Sequence, residues 1–140
     1  DPKSAEIALI NQNLRYEVQT VRGMHGDDVD VLSLHCPLNA QTRGLIGERE
    51  LSVMKPGTLL INTARGPVVD EAALVSALQR GHLGGAGLDT FDVEPLDPQH
   101  ALAQLPQVLL TPHVAGMTRD AALRVALMTA DNILQGLNLA

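Results

Sequence analysis

The feature that most constrains this chain is a short apolar run that stops at an arginine loop. Residues Gly57-Thr58-Leu59-Leu60-Ile61 follow Pro56 and give way to the polar stretch Asn62-Thr63-Ala64-Arg65-Gly66. Apolar and β-branched residues bounded by turn formers read as a buried parallel strand. A helix follows, with Asp70 at its start. In open α/β sheets ligands sit beyond the carboxyl ends of the strands, so Arg65 stands where chemistry happens. Taken alone, Arg65 reads equally as a solvated loop residue.

The chain around this run alternates in the same way. Residues 2–13 look helical, with apolar positions at Ala5, Ile7, Ala8, Leu9 and Ile10. Residues 14–18 are a short strand candidate, and 21–28 are weakly periodic. Residues 29–34 form a strand of the buried type, ended at His35-Cys36-Pro37-Leu38 because proline cannot continue the ladder. A short helix is expected over 47–54. Residues 70–80 carry an aspartate N-cap, an acidic first turn, a basic last turn and Gly81 beyond the end, which together mark a helix. Residues 83–89 read as a glycine-rich strand, where a backbone or a ligand approaches closely. An acidic loop, a helical turn near 100–105 and a last strand at 108–110 follow. Thr118 then caps a final helix from about Arg119 to Gly136. Strands alternating with helices imply a parallel sheet with right-handed crossovers.

Composition narrows the class. The chain has 140 residues, enough for one domain with a core. Hydrophobic residues make up 45%, yet there is one Tyr, one Phe and no Trp, so the core must be aliphatic. A net charge of −6 argues against non-specific binding to nucleic acid or to an anionic membrane. The single cysteine, Cys36, excludes an internal disulfide framework and fits a reducing compartment, hence a cytoplasmic setting. No apolar run approaches the length of a membrane span, and no signal peptide is visible.

Three polar loops follow strands: one with Arg65, one with Asp89 and Glu94, one with His113. In a parallel sheet these loops share an edge, so the three groups can converge. Carbonyl reduction suits them. Arginine holds a carboxylate by two parallel hydrogen bonds. Histidine gives or takes a proton near neutral pH. A carboxylate beside it favours the protonated form and orients the ring. His113 alone could be a satisfied loop histidine and Glu94 alone a surface charge. Their joint position at strand ends favours a site. No metal site is expected.

Six pieces stand in series along the chain: Leu34-His35-Cys36-Pro37-Leu38, Thr42-Arg43-Gly44-Leu45-Ile46, Met54-Lys55-Pro56-Gly57, Asn62-Thr63-Ala64-Arg65-Gly66, Leu88-Asp89-Thr90-Phe91-Asp92-Val93-Glu94-Pro95 and Thr111-Pro112-His113-Val114-Ala115-Gly116. In these pieces and their order the chain resembles the nucleotide-binding domain of the D-isomer-specific 2-hydroxyacid dehydrogenases. It implies a Rossmann-like parallel sheet, NAD as cofactor, and hydride transfer between NAD(H) and a D-2-hydroxy or 2-oxo acid. It implies that Arg65 orients the 2-oxo acid, that His113 is the acid/base and that Glu94 is its carboxylate partner. It implies that Asp1 binds the adenosine ribose hydroxyls and selects NAD over NADP. Around the cofactor it implies His35, Cys36, Pro37, Thr42, Thr63, Ala64, Arg65, Asp89, His113, Ala115 and Gly116. A homodimer is implied for the intact enzyme. The non-catalytic alternative is an NAD-sensing interaction protein, like the corepressors that share the fold.

No G-x-G-x-x-G occurs in the 140 residues. The expectation is therefore an incomplete domain: residues 1–140 would be part of the NAD-binding domain, without the first βα unit, its glycine loop or the substrate domain. In the family's order, this would leave a gap in mid-sheet between a strand near Tyr16 and the strand near Val31. The piece by itself is expected to be inactive.

Overall fold

The computed structural model describes residues 7–10 and 29–137. They form a five-stranded sheet: β1 (Ile7–Ile10), β2 (Val31–Leu34), β3 (Leu59–Asn62), β4 (Gly85–Leu88) and β5 (Val108–Leu110). The strands are all parallel and neighbour one another in chain order. Among the described residues three α-helices accompany them: α1 (Glu48–Ser52), α2 (Glu71–Gln79) and α3 (Arg119–Gly136). This is the α/β architecture expected from the alternation.

The start of the chain departs from expectation. Ile7–Ile10, expected within a helix, is a strand paired with β2 at Ile7↔Val31. A strand of a parallel sheet can read as an unbroken apolar run, which periodicity cannot separate from a helical segment. Because β1 lies directly on β2, the described strands leave no gap in mid-sheet. The strand expected at 14–18 falls outside the described residues, as does the segment 21–28.

The core is aliphatic, as the shortage of aromatics requires. Leu32 and Leu34 of β2, Leu60 of β3, Leu74 and Leu78 of α2, and Ile46, Leu51, Val68, Leu83 and Leu102 are all buried, and Phe91 joins them. Each such leucine contributes roughly 1.5–3 kcal/mol over exposure. Asp70 caps α2, its side chain accepting from the Ala73 amide at 3.0 Å. The glycines of β4 have a packing cause. A Cβ on Gly85 would stand 2.7 Å from the Gln107 carbonyl oxygen.

The last helix stands apart. Thr118 caps α3 through the Ala121 amide at 3.1 Å. No residue of α3 is buried. Leu123, Leu127 and Leu134 follow one another along it at 58%, 56% and 42% exposure, and Leu137 just beyond is equally open. No described helix is long and apolar enough to cross a membrane.

Candidate active site at the carboxyl edge of the sheet

The strand register places the chemistry. Leu34, Asn62, Leu88 and Leu110 align across four strands. The chain therefore leaves the sheet along one edge at His35, Thr63, Asp89 and Thr111. The loops bearing Arg65, Glu94 and His113 all start from that edge.

The Arg65 loop is built on Asn62. This side chain is buried, its Nδ2 donates to the Arg65 carbonyl at 2.9 Å, and its Oδ1 accepts from the Ala64 amide at 3.0 Å. One asparagine thus satisfies both backbone groups of a tight turn, the usual service of this residue after a strand. Arg65 is extended and exposed, and its Nη1 donates to the Ala64 carbonyl at 2.6 Å. Gly66 then meets the next loop backbone to backbone. A Cβ there would lie 2.0 Å from the carbonyl carbon of Phe91 and 2.6 Å from the Asp92 amide nitrogen.

Glu94 and His113 come together although they sit on different loops. Glu94 Oε1 accepts from the Phe91 amide at 3.0 Å, and Oε2 lies 2.9 Å from His113 Nδ1. The hydrogen bond with His113 and that from Phe91 hold the Glu94 carboxyl below its ordinary range. Burial opposes them, and the charges of His113 and Arg65 add to the lowering. An ionised carboxylate can only accept, so His113 Nδ1 carries the proton and Nε2 is the nitrogen turned to exchange. His113 also adopts φ 55°, in the left-handed region that few non-glycine residues occupy. Such backbone outliers cluster at functional sites.

Asp89 holds that loop in place. Its carboxylate is buried, with Oδ1 accepting from Thr111 Oγ1 at 2.5 Å and the Val114 amide at 2.8 Å, and Oδ2 from the Ala115 amide at 2.9 Å. Burial pushes the carboxyl up. The bonds from Thr111, Ala115 and Val114 and the nearby His113 outweigh it and leave the carboxyl low.

A cleft of about 480 Å³ opens beyond β2 and β3, lined by His35, Cys36, Pro37, Leu38, Thr63, Ala64 and Arg65. Its place beyond β2 and β3 and its size fit part of a dinucleotide. A second cleft, of about 550 Å³, lies against Glu94 and His113. His35 is exposed, with Nε2 2.7 Å from Ser33 Oγ. Cys36 is buried in the cleft wall. Thr42 is buried below, where its hydroxyl donates to the Pro37 carbonyl at 2.6 Å and supports the turn behind the cleft. Ala115 and Gly116 are exposed on the His113 loop, and Asp1 lies outside the described residues. The supporting roles of Asn62 and Thr111 escaped the sequence reading. Their signal was a polar residue at or just past the end of an apolar strand.

A family profile described as D-isomer specific 2-hydroxyacid dehydrogenase, NAD binding domain, matches residues 11–115. The chain belongs to this family. It is similar to glyoxylate reductase from Aeropyrum pernix, 50% identical over 105 residues that are 75% of this chain and 31% of that protein. (S)-sulfolactate dehydrogenase from Chromohalobacter salexigens is 47% identical over 111 residues, 79% of this chain and 36% of that protein. A crystal structure of a glyoxylate reductase from Paecilomyes thermophila superposes with a TM-score of 0.71 at 42% identity, covering 76% of this chain and 32% of that one. The sheet is therefore that of the Rossmann-type 2-hydroxyacid dehydrogenases, and the cofactor of the family's domain is NAD. The chain spans about a third of the length of the curated relatives it matches.

Proposed function

We propose that this chain is the cofactor-domain portion of an NAD-dependent D-2-hydroxyacid dehydrogenase acting on a small 2-oxo or 2-hydroxy acid. The observation that carries the reading is the 2.9 Å pairing of Glu94 with His113 on the sheet edge that also bears Arg65. Arg65 binds the substrate carboxylate through two parallel hydrogen bonds. His113 Nε2 gives a proton to the substrate's carbonyl oxygen during reduction and takes it back during oxidation. Glu94 holds the opposite nitrogen, so the ring keeps its orientation and a charge on the imidazole is offset. NAD(H), when bound, supplies or accepts the hydride. His35, Cys36, Pro37, Thr63, Ala64, Arg65, His113, Ala115 and Gly116 line its place, Thr42 and Asp89 support that wall, and Asp1 takes the ribose hydroxyls.

The remaining wall of the site comes from outside residues 1–140, in keeping with the third of the relatives' length that the chain spans. In this reading the intact enzyme is a cytoplasmic homodimer without nucleic-acid or membrane partners; the acidic charge of residues 1–140 supports the absence of nucleic acid, and their single cysteine supports a reducing compartment. A purely NAD-sensing role would leave the Glu94–His113 pair without a task.

Kinetics in the full-length protein test this reading. His113→Ala lowers kcat for 2-oxo acid reduction by roughly 10²–10⁴ while NADH binding stays nearly unchanged. Arg65→Lys instead raises KM strongly, because a point charge cannot replace a two-pronged grip. Glu94→Gln moves the upper limb of the pH–rate profile for reduction to lower pH. A fully active His113→Ala would remove the mechanism.

A further inference from the structure

The loop that carries Glu94 is pinned at both ends by one side chain. Glu71, the first residue of α2, is half-buried, with its side chain 21% exposed. Its Oε2 accepts from the Asp92 amide at 3.4 Å, two residues before Glu94. Its Oε1 lies 3.2 Å from His100 Nε2, at the far end of the same loop. His100 Nδ1 accepts from the Leu102 amide at 3.3 Å, so Nε2 carries the proton and donates to Glu71. The bond to Asp92 is long by itself, but it does not act alone. Gly66 lies against the same Phe91-Asp92 peptide, with no space for a Cβ. Phe91 in turn donates its amide to Glu94 Oε1.

We propose that Glu71 is a positioning residue for the reaction: with Gly66 it clamps the Phe91-Asp92 peptide and so holds Glu94 against His113. The clamp rests on the dehydrogenase reading above. It also explains how two groups on separate crossovers keep their spacing. Arg65 directly precedes Gly66, and Glu71 opens the helix that follows. The segment that presents Arg65 to the substrate carboxylate is therefore the segment that fixes Glu94. Moving one moves the other, and the grip on the carboxylate stays in step with the proton donor.

The test compares wild type, Glu71→Gln and Glu71→Ala in the full-length protein. Two quantities are read: the titration of the Glu94 carboxyl by ¹³C NMR, and kcat and KM for reduction of glyoxylate. In Glu71→Ala, Glu94 titrates at higher pH than in wild type, because its bonds to His113 and Phe91 loosen. In the same variant kcat falls by about tenfold with KM for NADH unchanged, as for an interaction used only in the transition state. Glu71→Gln keeps one acceptor oxygen and gives intermediate values of both. A merely structural Glu71 would lower the melting temperature and leave the Glu94 titration where it is. That result in a folded variant overturns the clamp. Should Glu71→Ala fail to fold, Glu71→Gln decides by the same criterion. A wild-type protein that reduces no 2-oxo acid would overturn the dehydrogenase reading, and the Glu94 titration would then judge the clamp alone.

Discussion

Asp89 shows how one buried carboxylate sets a reactive loop. Three donors from Thr111, Val114 and Ala115 converge on its two oxygens. An amide in its place offers one acceptor and turns an NH₂ toward the remaining donors. Asp89→Asn therefore costs about 1–3 kcal/mol of stability at neutral pH, read by urea denaturation. The sign of the pH effect follows from the lowered carboxyl. In the unfolded chain it protonates near its ordinary value of 3.8, and in the fold it does so lower. The stability it adds is complete above that value and is lost as pH falls through the folded one. The difference between wild type and Asp89→Asn shrinks below that pH, and a constant difference down the acid limb would contradict this account. Arg65, Glu94 and His113 were legible in the sequence because each follows a strand of a parallel sheet. Asp89 was legible as a polar residue at a strand end, but its partners were not. Its hydrogen bonds join positions more than twenty residues apart in the chain, which no local pattern encodes.

At the scale of elements, the contact between the loop after β3 and the loop after β4 decides the geometry. Gly66 is required there because a methyl group would overlap backbone, not a yielding side-chain tip. Gly66→Ala lowers stability by roughly 3 kcal/mol or more and reduces activity beyond its effect on folding, since Arg65 and the Glu94 loop must part. A melting curve beside kcat for the folded fraction checks this, and an unshifted melting temperature would refute it. Most elements could be read directly. The helix with Asp70 as cap and the helix after Thr118 appear at the expected places because caps and helical period agree. The first strand was misread because Ile7–Ile10 offers an apolar run without alternation, and its pairing with β2 decides what local preference leaves open. Glu71 read only as an acidic first turn, favourable at a helix N-terminus whatever else it does. Its hold on Asp92 and His100 emerges only from the folded chain.

At the scale of the whole molecule, α3 leaves an apolar row in solvent. Leu123, Leu127, Leu134 and Leu137 all stay open to water. Contiguous apolar surface of this kind drives association. The 140-residue chain on its own gives a scattering mass that rises with concentration, and Leu127→Glu with Leu134→Glu brings it to the monomer value. A wild-type chain that stays monomeric throughout would show the row to be too thin to associate. The parallel sheet has another consequence, and it concerns time. Every strand pairing joins segments more than twenty residues apart, from Ile7↔Val31 to Ala86↔Val108. Contacts so distant in sequence form slowly, because the loops between them must close first. Arg65, Glu94 and His113 follow β3, β4 and β5, so the three come together only once these three strands have paired. During refolding, the Glu94–His113 contact forms only when β5 joins β4, and its appearance is a clock for that pairing.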